Sequence, residues 1–287
     1  LVYRRDGMIA EQDAVRELAA VGGNLVSRAR IEGAAYHALL VDVPNNELAR
    51  IVAGRNEGLL AAESVMHIRP QSAVHLTVFE SDAVEPPQPE PPPEGLPIAA
   101  IFDAVPLAGH PRLVNRLSID DPFNLEPIAV GSRLHGTAMA SAIVHGDLEA
   151  PPSNSLGRRI FFVNVMYAPP APETEERFPD RLPADLFAEA VVRMKEGANA
   201  VAPSVIIVNA SLGDRNKPFS GRMSGWARVV DYLAHRYGLL FVISAGNHLD
   251  ALISNEFNTI AFEALDPAGK ARSALRSSAA EIGRRRV

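Results

Sequence analysis

The sequence predicts a doubly wound α/β domain with a mostly parallel sheet, preceded by a small α+β unit. Three observations carry this. Past residue 95, short runs that are apolar on both faces recur at 98–102, 160–165, 205–208 and 239–243. Parallel strands covered by helices on both sides need such continuous apolar runs. Helical stretches opening near His135, Leu186 and Gly225 separate the runs, and strands alternating with helices build parallel sheets. Between the two parts lies SDAVEPPQPEPPPEG, residues 81–95. Proline removes backbone donors and favours extended, solvated chain, so this segment reads as a semi-rigid linker. The expected division is an accessory unit over 1–80, the linker over 81–95 and a larger domain over 96–287.

Within the first unit, 9–21 has helical spacing: Ile9, Val15 and Leu18 are apolar, while Glu11, Asp13, Arg16 and Glu17 are polar. Gly22-Gly23 stops that helix. Residues 24–31 and 36–43 read as two strands joined at Glu32-Gly33. Pro44 and Asn45 open a second helix with Leu48, Ile51 and Val52 on one face, and 64–68 is a last short strand. With a strand at or before 1–5, the order is the β-α-β-β-α-β of a ferredoxin-like unit.

Composition excludes several functions. Apolar residues make up 47% of the 287, enough for a sizeable core. A formal charge of −6 gives no electrostatic reason to expect nucleic acid. There are no cysteines, which removes disulfides, thiolate metal sites and a cysteine nucleophile. No apolar run approaches the roughly 18–20 residues that cross a bilayer, so no membrane partner is expected. The start, Leu1-Val2-Tyr3-Arg4-Arg5-Asp6, lacks both an initiator Met and the apolar middle of a signal peptide, so a fragment or processed product is expected. The compartment stays open, with the cytoplasm slightly ahead of secretion. The histidines show no HExxH or similar metal spacing, and Asp120-Asp121 reads as a solvated loop, so neither a metal nor structural calcium is indicated. Gly221 and Gly225 lack phosphate-loop spacing, and no cofactor is implied.

In open α/β sheets ligands bind beyond the carboxyl ends of the strands. Asp103, Ser211 and Asn247 each follow closely on an expected strand of this sheet and so share one rim. His135 opens a helix whose next residues are small, among them Gly136, Thr137, Ala138 and Ala140, which lets that helix sit close to the sheet. An acid, a histidine and an amide donor, in that order, are three parts of a serine-protease site.

Four segments carry a resemblance. They are Ala100-Ile101-Phe102-Asp103 with Gly109-His110-Pro111, His135-Gly136-Thr137-Ala138-Met139-Ala140, Val208-Asn209-Ala210-Ser211-Leu212-Gly213, and Ser244-Ala245-Gly246-Asn247. Taken in that order, they resemble the acid, histidine, substrate-binding and oxyanion motifs of the subtilisin-like serine proteases over residues 96–250. Residues 22–70 more loosely resemble the propeptide of that family, an inhibitor and folding chaperone. The resemblance implies that Asp103 orients His135 and that His135 acts as general base and then general acid. It implies that the Asn247 amide donates to the oxyanion. Ser211, Leu212 and Gly213 would pair with an extended polypeptide substrate, and Ser244, Ala245 and Gly246 would wall the pocket before the scissile bond.

The chain departs from the family pattern at the nucleophile. Only 40 residues follow Asn247, and none form the Gly-Thr-Ser in which the family carries its serine. The remaining serines are Ser254, Ser273, Ser277 and Ser278, and Ser277-Ser278, in a polar, arginine-flanked stretch, reads as part of a solvated helix. The expectation is a serine endopeptidase whose nucleophile lies beyond Val287, so that this chain alone is inactive. The alternative is a non-catalytic pseudo-protease that keeps the peptide groove. A domain cut short in this way should expose apolar sheet surface and call for a second chain or self-association to cover it.

Overall fold

The structure is a computed structural model that describes residues 2–3, 7–71, 93–146, 155–169, 177–212 and 223–244. The first unit runs β1 (Val2–Tyr3), α1 (Gly7–Ala20), β2 (Asn24–Ile31), β3 (Tyr36–Asp42), α2 (Asn45–Val52) and β4 (Val65–His67). Its strands form one antiparallel sheet in the order β2-β3-β1-β4. Ala14 and Leu18 of α1 are fully buried, which is why apolar residues recur at helical spacing there. Gly22, in the left-handed region at φ 77°, ends the helix where the sequence expects the stop.

The larger unit runs β5 (Ala99–Ala104), β6 (Leu117–Asp120), α3 (Leu134–His145), β7 (Ile160–Met166), α4 (Pro183–Lys195), β8 (Ile207–Ala210), α5 (Gly225–Tyr237) and β9 (Leu240–Ile243). Its five strands are all parallel, in the order β6-β7-β5-β8-β9. The doubly wound α/β sheet is therefore present, and β5 lies at its centre between β7 and β8. One face carries Ile101, Ile160 and Phe162 against Ala140 and Val144 of α3. The other carries Phe102, Phe161, Val163 and Val208 against α4 and α5. There Phe187 meets the Phe102 ring edge-on at 5.2 Å and the Trp226 ring at 5.4 Å.

Several boundaries differ from the sequence reading. The apolar run at 98–102 is a strand that continues through Ala104, so Asp103 lies inside β5 and not after it. The run at 205–208 becomes β8 at Ile207–Ala210, and α4 starts at Pro183, where proline at a first-turn position has no hydrogen bond to lose. Strand β6 has no counterpart in that reading. It is four residues long and partly exposed on the sheet edge, with Leu117 and Ile119 merely alternating. Most of the expected linker lies outside the described residues; Gly95, at its end, forms a parallel bridge with Arg158.

On the edge strand β9, Leu240, Val242 and Ile243 are exposed. Residues 245–287, which follow it, lie outside the described residues.

The two units share a core. Ala29, Ala34, Tyr36 and Ala38 of the N-terminal sheet join the cluster that contains Phe187, Val229 and Leu233. A Cβ at Gly33 would overlap the Tyr232 ring of α5, so the turn between β2 and β3 packs directly on that ring. Burial, with the Asp185 carboxylate beside it, pushes the Tyr36 phenol up to about 12.

Candidate active site

Asp103 sits one residue before the end of the central strand and is fully buried. Side chains alternate across a sheet, so Asp103 shares the face of Ile101, the face covered by α3. Its Oδ1 accepts two hydrogen bonds, from the Ala104 amide at 2.7 Å and from His135 Nδ1–H at 2.7 Å. Its Oδ2 is buried with no partner among the described residues. Burial pushes the Asp103 carboxyl above its ordinary range, and the hydrogen bond and charge of His135 and the Ala104 amide offset this only in part.

His135 is the second residue of α3, and its side chain is 13% exposed. The first turn of a helix disfavours a cation. The adjacent Asp103 carboxylate opposes that effect and favours the imidazolium. With Nδ1 on the acid, Nε2 lies on the far side of the ring from Asp103.

The two residues after the histidine explain why the pair forms. At Gly136 a Cβ would overlap the Ala104 carbonyl oxygen, so only glycine lets α3 approach the end of β5 this closely. Thr137 Oγ1 donates to the Arg133 carbonyl at 2.5 Å and accepts from the Leu107 amide at 2.8 Å. That hydroxyl ties the loop leaving β5 to the first turn of α3. His135-Gly136-Thr137 is thus a seat for the histidine, a close approach and a strap.

Ser211 directly follows β8, and its Oγ accepts from Asn209 Nδ2–H at 3.0 Å. Leu212 is buried beside it. Ser244 follows β9 and donates its amide to the Ala210 carbonyl at 3.2 Å, which joins the ends of β8 and β9. Asp103, Ser211 and Ser244 therefore stand at the carboxyl ends of neighbouring strands β5, β8 and β9. Gly213, Ala245, Gly246, Asn247 and the serines past 250 lie outside the described residues. A cavity of about 750 Å³ opens next to Leu212, between Phe178, Leu182 and Trp226 of the larger unit and Met66 and Arg69 of the N-terminal one.

Other groups are occupied structurally. Asp120 pairs with Arg193 at 2.7 Å, and Asp121 accepts from the Leu125 and Glu126 amides at 2.9 and 2.8 Å. His110 Nδ1 accepts from the Arg112 amide at 3.3 Å. Among the described residues no group of three or more His, Cys, Asp or Glu could hold a metal ion.

One residue near the acid escaped the sequence reading. Asn164 on β7 pairs in register with Asp103 and is fully buried. Its signal was available: it is the sole polar residue in the strand Ile-Phe-Phe-Val-Asn-Val-Met.

A model of the subtilase family of peptidases matches residues 110–274. The match takes in His135 and begins after Asp103, which the fold brings to the histidine. No curated protein matches the chain. The solved structure of the patellamide maturation protease PatA is similar over 52% of this chain and 48% of its own, with 21% identity and a TM-score of 0.33. The chain thus spans about half the length of that protein. The family match covers more than half of the 287 residues, and on that ground the chain belongs to the subtilase family.

Proposed function

We propose that the chain carries the acid–base part of a serine endopeptidase acting on polypeptides. The observation that carries this is the 2.7 Å bond from His135 Nδ1 to a fully buried Asp103 at the carboxyl end of the central strand. Asp103 holds the ring in the tautomer with Nδ1–H, so Nε2 has the lone pair that accepts a serine proton. The serine oxygen bonds to the scissile carbonyl carbon, and its proton moves to Nε2. The imidazolium that results is stabilised by Asp103, and it returns the proton to the amine as the peptide C–N bond breaks. Water then attacks the acyl-enzyme through the same histidine. The ends of β8 and β9, at Ser211, Leu212 and Ser244, border the strand-like path for substrate, and Asn247 is assigned to the oxyanion. No Gly-Thr-Ser occurs in the sequence, so the proposal takes the nucleophile from polypeptide beyond Val287.

The missing Gly-Thr-Ser also supports a second reading, a peptide-binding pseudo-protease. A fluorophosphonate probe on the full polypeptide that contains this chain separates the two. The expected result is label on one serine beyond Val287, with the labelling rate reduced at least about a thousandfold by His135→Ala. A folded polypeptide that takes no label supports the pseudo-protease.

The N-terminal unit is proposed as an inhibitor of the same site. Its sheet packs on α4 and α5, and its last described residues reach the cavity beside Leu212. Gly33→Leu would drive a side chain into Tyr232 and loosen that docking. Overpacking of this kind costs about 1–3 kcal/mol, so labelling should rise by about tenfold. An unchanged rate in a folded variant means that the unit does not control access.

A further inference from the structure

Two polar groups beside the histidine are buried without partners. Asp103 Oδ2 has none among the described residues, and neither does Asn164 at Oδ1 or Nδ2. Both residues are completely excluded from solvent. They are direct partners in the parallel register of β5 and β7, so both side chains leave the sheet on the face covered by α3. Paired strands lie about 4.8 Å apart. An asparagine side chain spans that gap by turning about χ2, a torsion with a broad range of allowed values. Buried polar groups without partners are rare in folded proteins, and each calls for a reason. Here two orphans of opposite kind, an acceptor and a donor, stand on neighbouring strands.

We propose that Asn164 is a positioning residue for the acid–histidine pair: its side-chain amide donates to Asp103 Oδ2 and fixes the plane of the carboxylate while Oδ1 holds His135. This rests on the reading that Asp103 and His135 perform the acid–base step. The division of labour follows from the geometry. Oδ1 already carries the Ala104 amide and His135 Nδ1–H. A carboxylate held through one oxygen can pivot about χ2, and a pivot swings Oδ1 away from the ring. A donor on Oδ2 stops the pivot. It also shares the negative charge of a group whose ionised form burial opposes, a cost that the hydrogen bonds from His135 and Ala104 offset only in part. Asn164 makes no contact with substrate on this account and acts through Asp103.

The test is an NMR titration of this chain, labelled at aspartate carboxyl carbons and asparagine side-chain amides. It needs no serine, so its outcome is independent of whether the fluorophosphonate experiment succeeds. In the unsubstituted protein, one of the two Asn164 Nδ2 protons should move downfield with the same midpoint as the Asp103 carboxyl carbon. Asn164→Leu, close in volume and without a donor, should raise the Asp103 midpoint by about one unit or more. Asn164 amide protons that ignore the ionisation of Asp103 would overturn the proposal, and so would a folded Asn164→Leu with an unmoved Asp103 midpoint. If Asn164→Leu does not fold, the titration of the unsubstituted protein decides by itself. In the full polypeptide, Asn164→Leu should also shift the acid limb of the labelling rate upward while leaving its plateau less affected than His135→Ala does.

Discussion

Asp103→Asn should make the protein more stable at neutral pH and its site inert. The two effects have one origin. A carboxylate with no exposed surface costs free energy to ionise, and its hydrogen bonds from His135 and Ala104 recover only part of that cost. The folded chain therefore binds the Asp103 proton more tightly than the unfolded chain does. Stability from this group is fully present below the ordinary carboxyl value of 3.8 and is lost as pH rises from there through the raised folded value. Asparagine does not ionise, so the variant and the unsubstituted protein should melt alike at low pH and separate across that window. A gain of about 1 kcal/mol corresponds to roughly 2–4 °C in Tm for a chain of this size. Thermal melts from pH 3 to 8 measure it, and a variant less stable at pH 7.5 would show that the ionised acid is a net stabiliser. The chemical cost is far larger. Asparagine has no charge to oppose an imidazolium in the first turn of α3, and its amide favours the wrong histidine tautomer. Labelling of the full polypeptide should slow by about 10⁴-fold.

Much of this arrangement was legible in the sequence because it rests on local patterns. Four of the five parallel strands announce themselves as continuous apolar runs, and in the N-terminal unit β2 alternates with period 2 while Ala14 and Leu18 of α1 are buried at helical spacing. Asp103 and His135, which the fold brings together, also stood out, since an acid closing an apolar run, or a helix opening on His-Gly-Thr, is an anomaly in its surroundings. What escaped depends on contacts distant in sequence. Strand β6 is held by its register with β7, where Leu117 meets Ile160 and Asp120 meets Val163, and nothing in four half-exposed residues foretells that pairing. The approach of Asn164 to Asp103 likewise arises only when β7 lies beside β5, 61 positions away in the chain. The docking of the N-terminal sheet on α4 and α5 was hidden for the same reason. Ala29, Ala34 and Ala38 look like ordinary strand and loop residues until a second unit covers them.

Gly136→Ala should damage the site out of proportion to its size. By helix propensity alone the change favours α3, by about 1 kcal/mol. Packing opposes it. The added methyl would overlap the Ala104 carbonyl oxygen and stand 3.2 Å from the Phe162 ring. The carbonyl belongs to the central strand of the sheet and cannot swing aside as a long side chain would, so α3 has to move. Overpacking against fixed atoms costs about 1–3 kcal/mol, which outweighs the propensity gain. The movement matters more than the energy. His135 precedes Gly136 and Asp103 precedes Ala104, so the clash pushes apart the two backbones that carry the pair. A displacement near 1 Å lengthens the 2.7 Å bond beyond hydrogen-bonding range and is worth about a hundredfold in rate. Ala142→Gly, at an exposed position of the same helix, is the control: it should lose about 1 kcal/mol of stability and leave labelling unchanged. The far-downfield proton resonance of His135 Nδ1–H reports the bond directly, and it should weaken or vanish in Gly136→Ala and persist in Ala142→Gly. If both variants keep the resonance and label alike, the glycine serves only the stability of α3, and the close approach of that helix to β5 is not what seats the histidine.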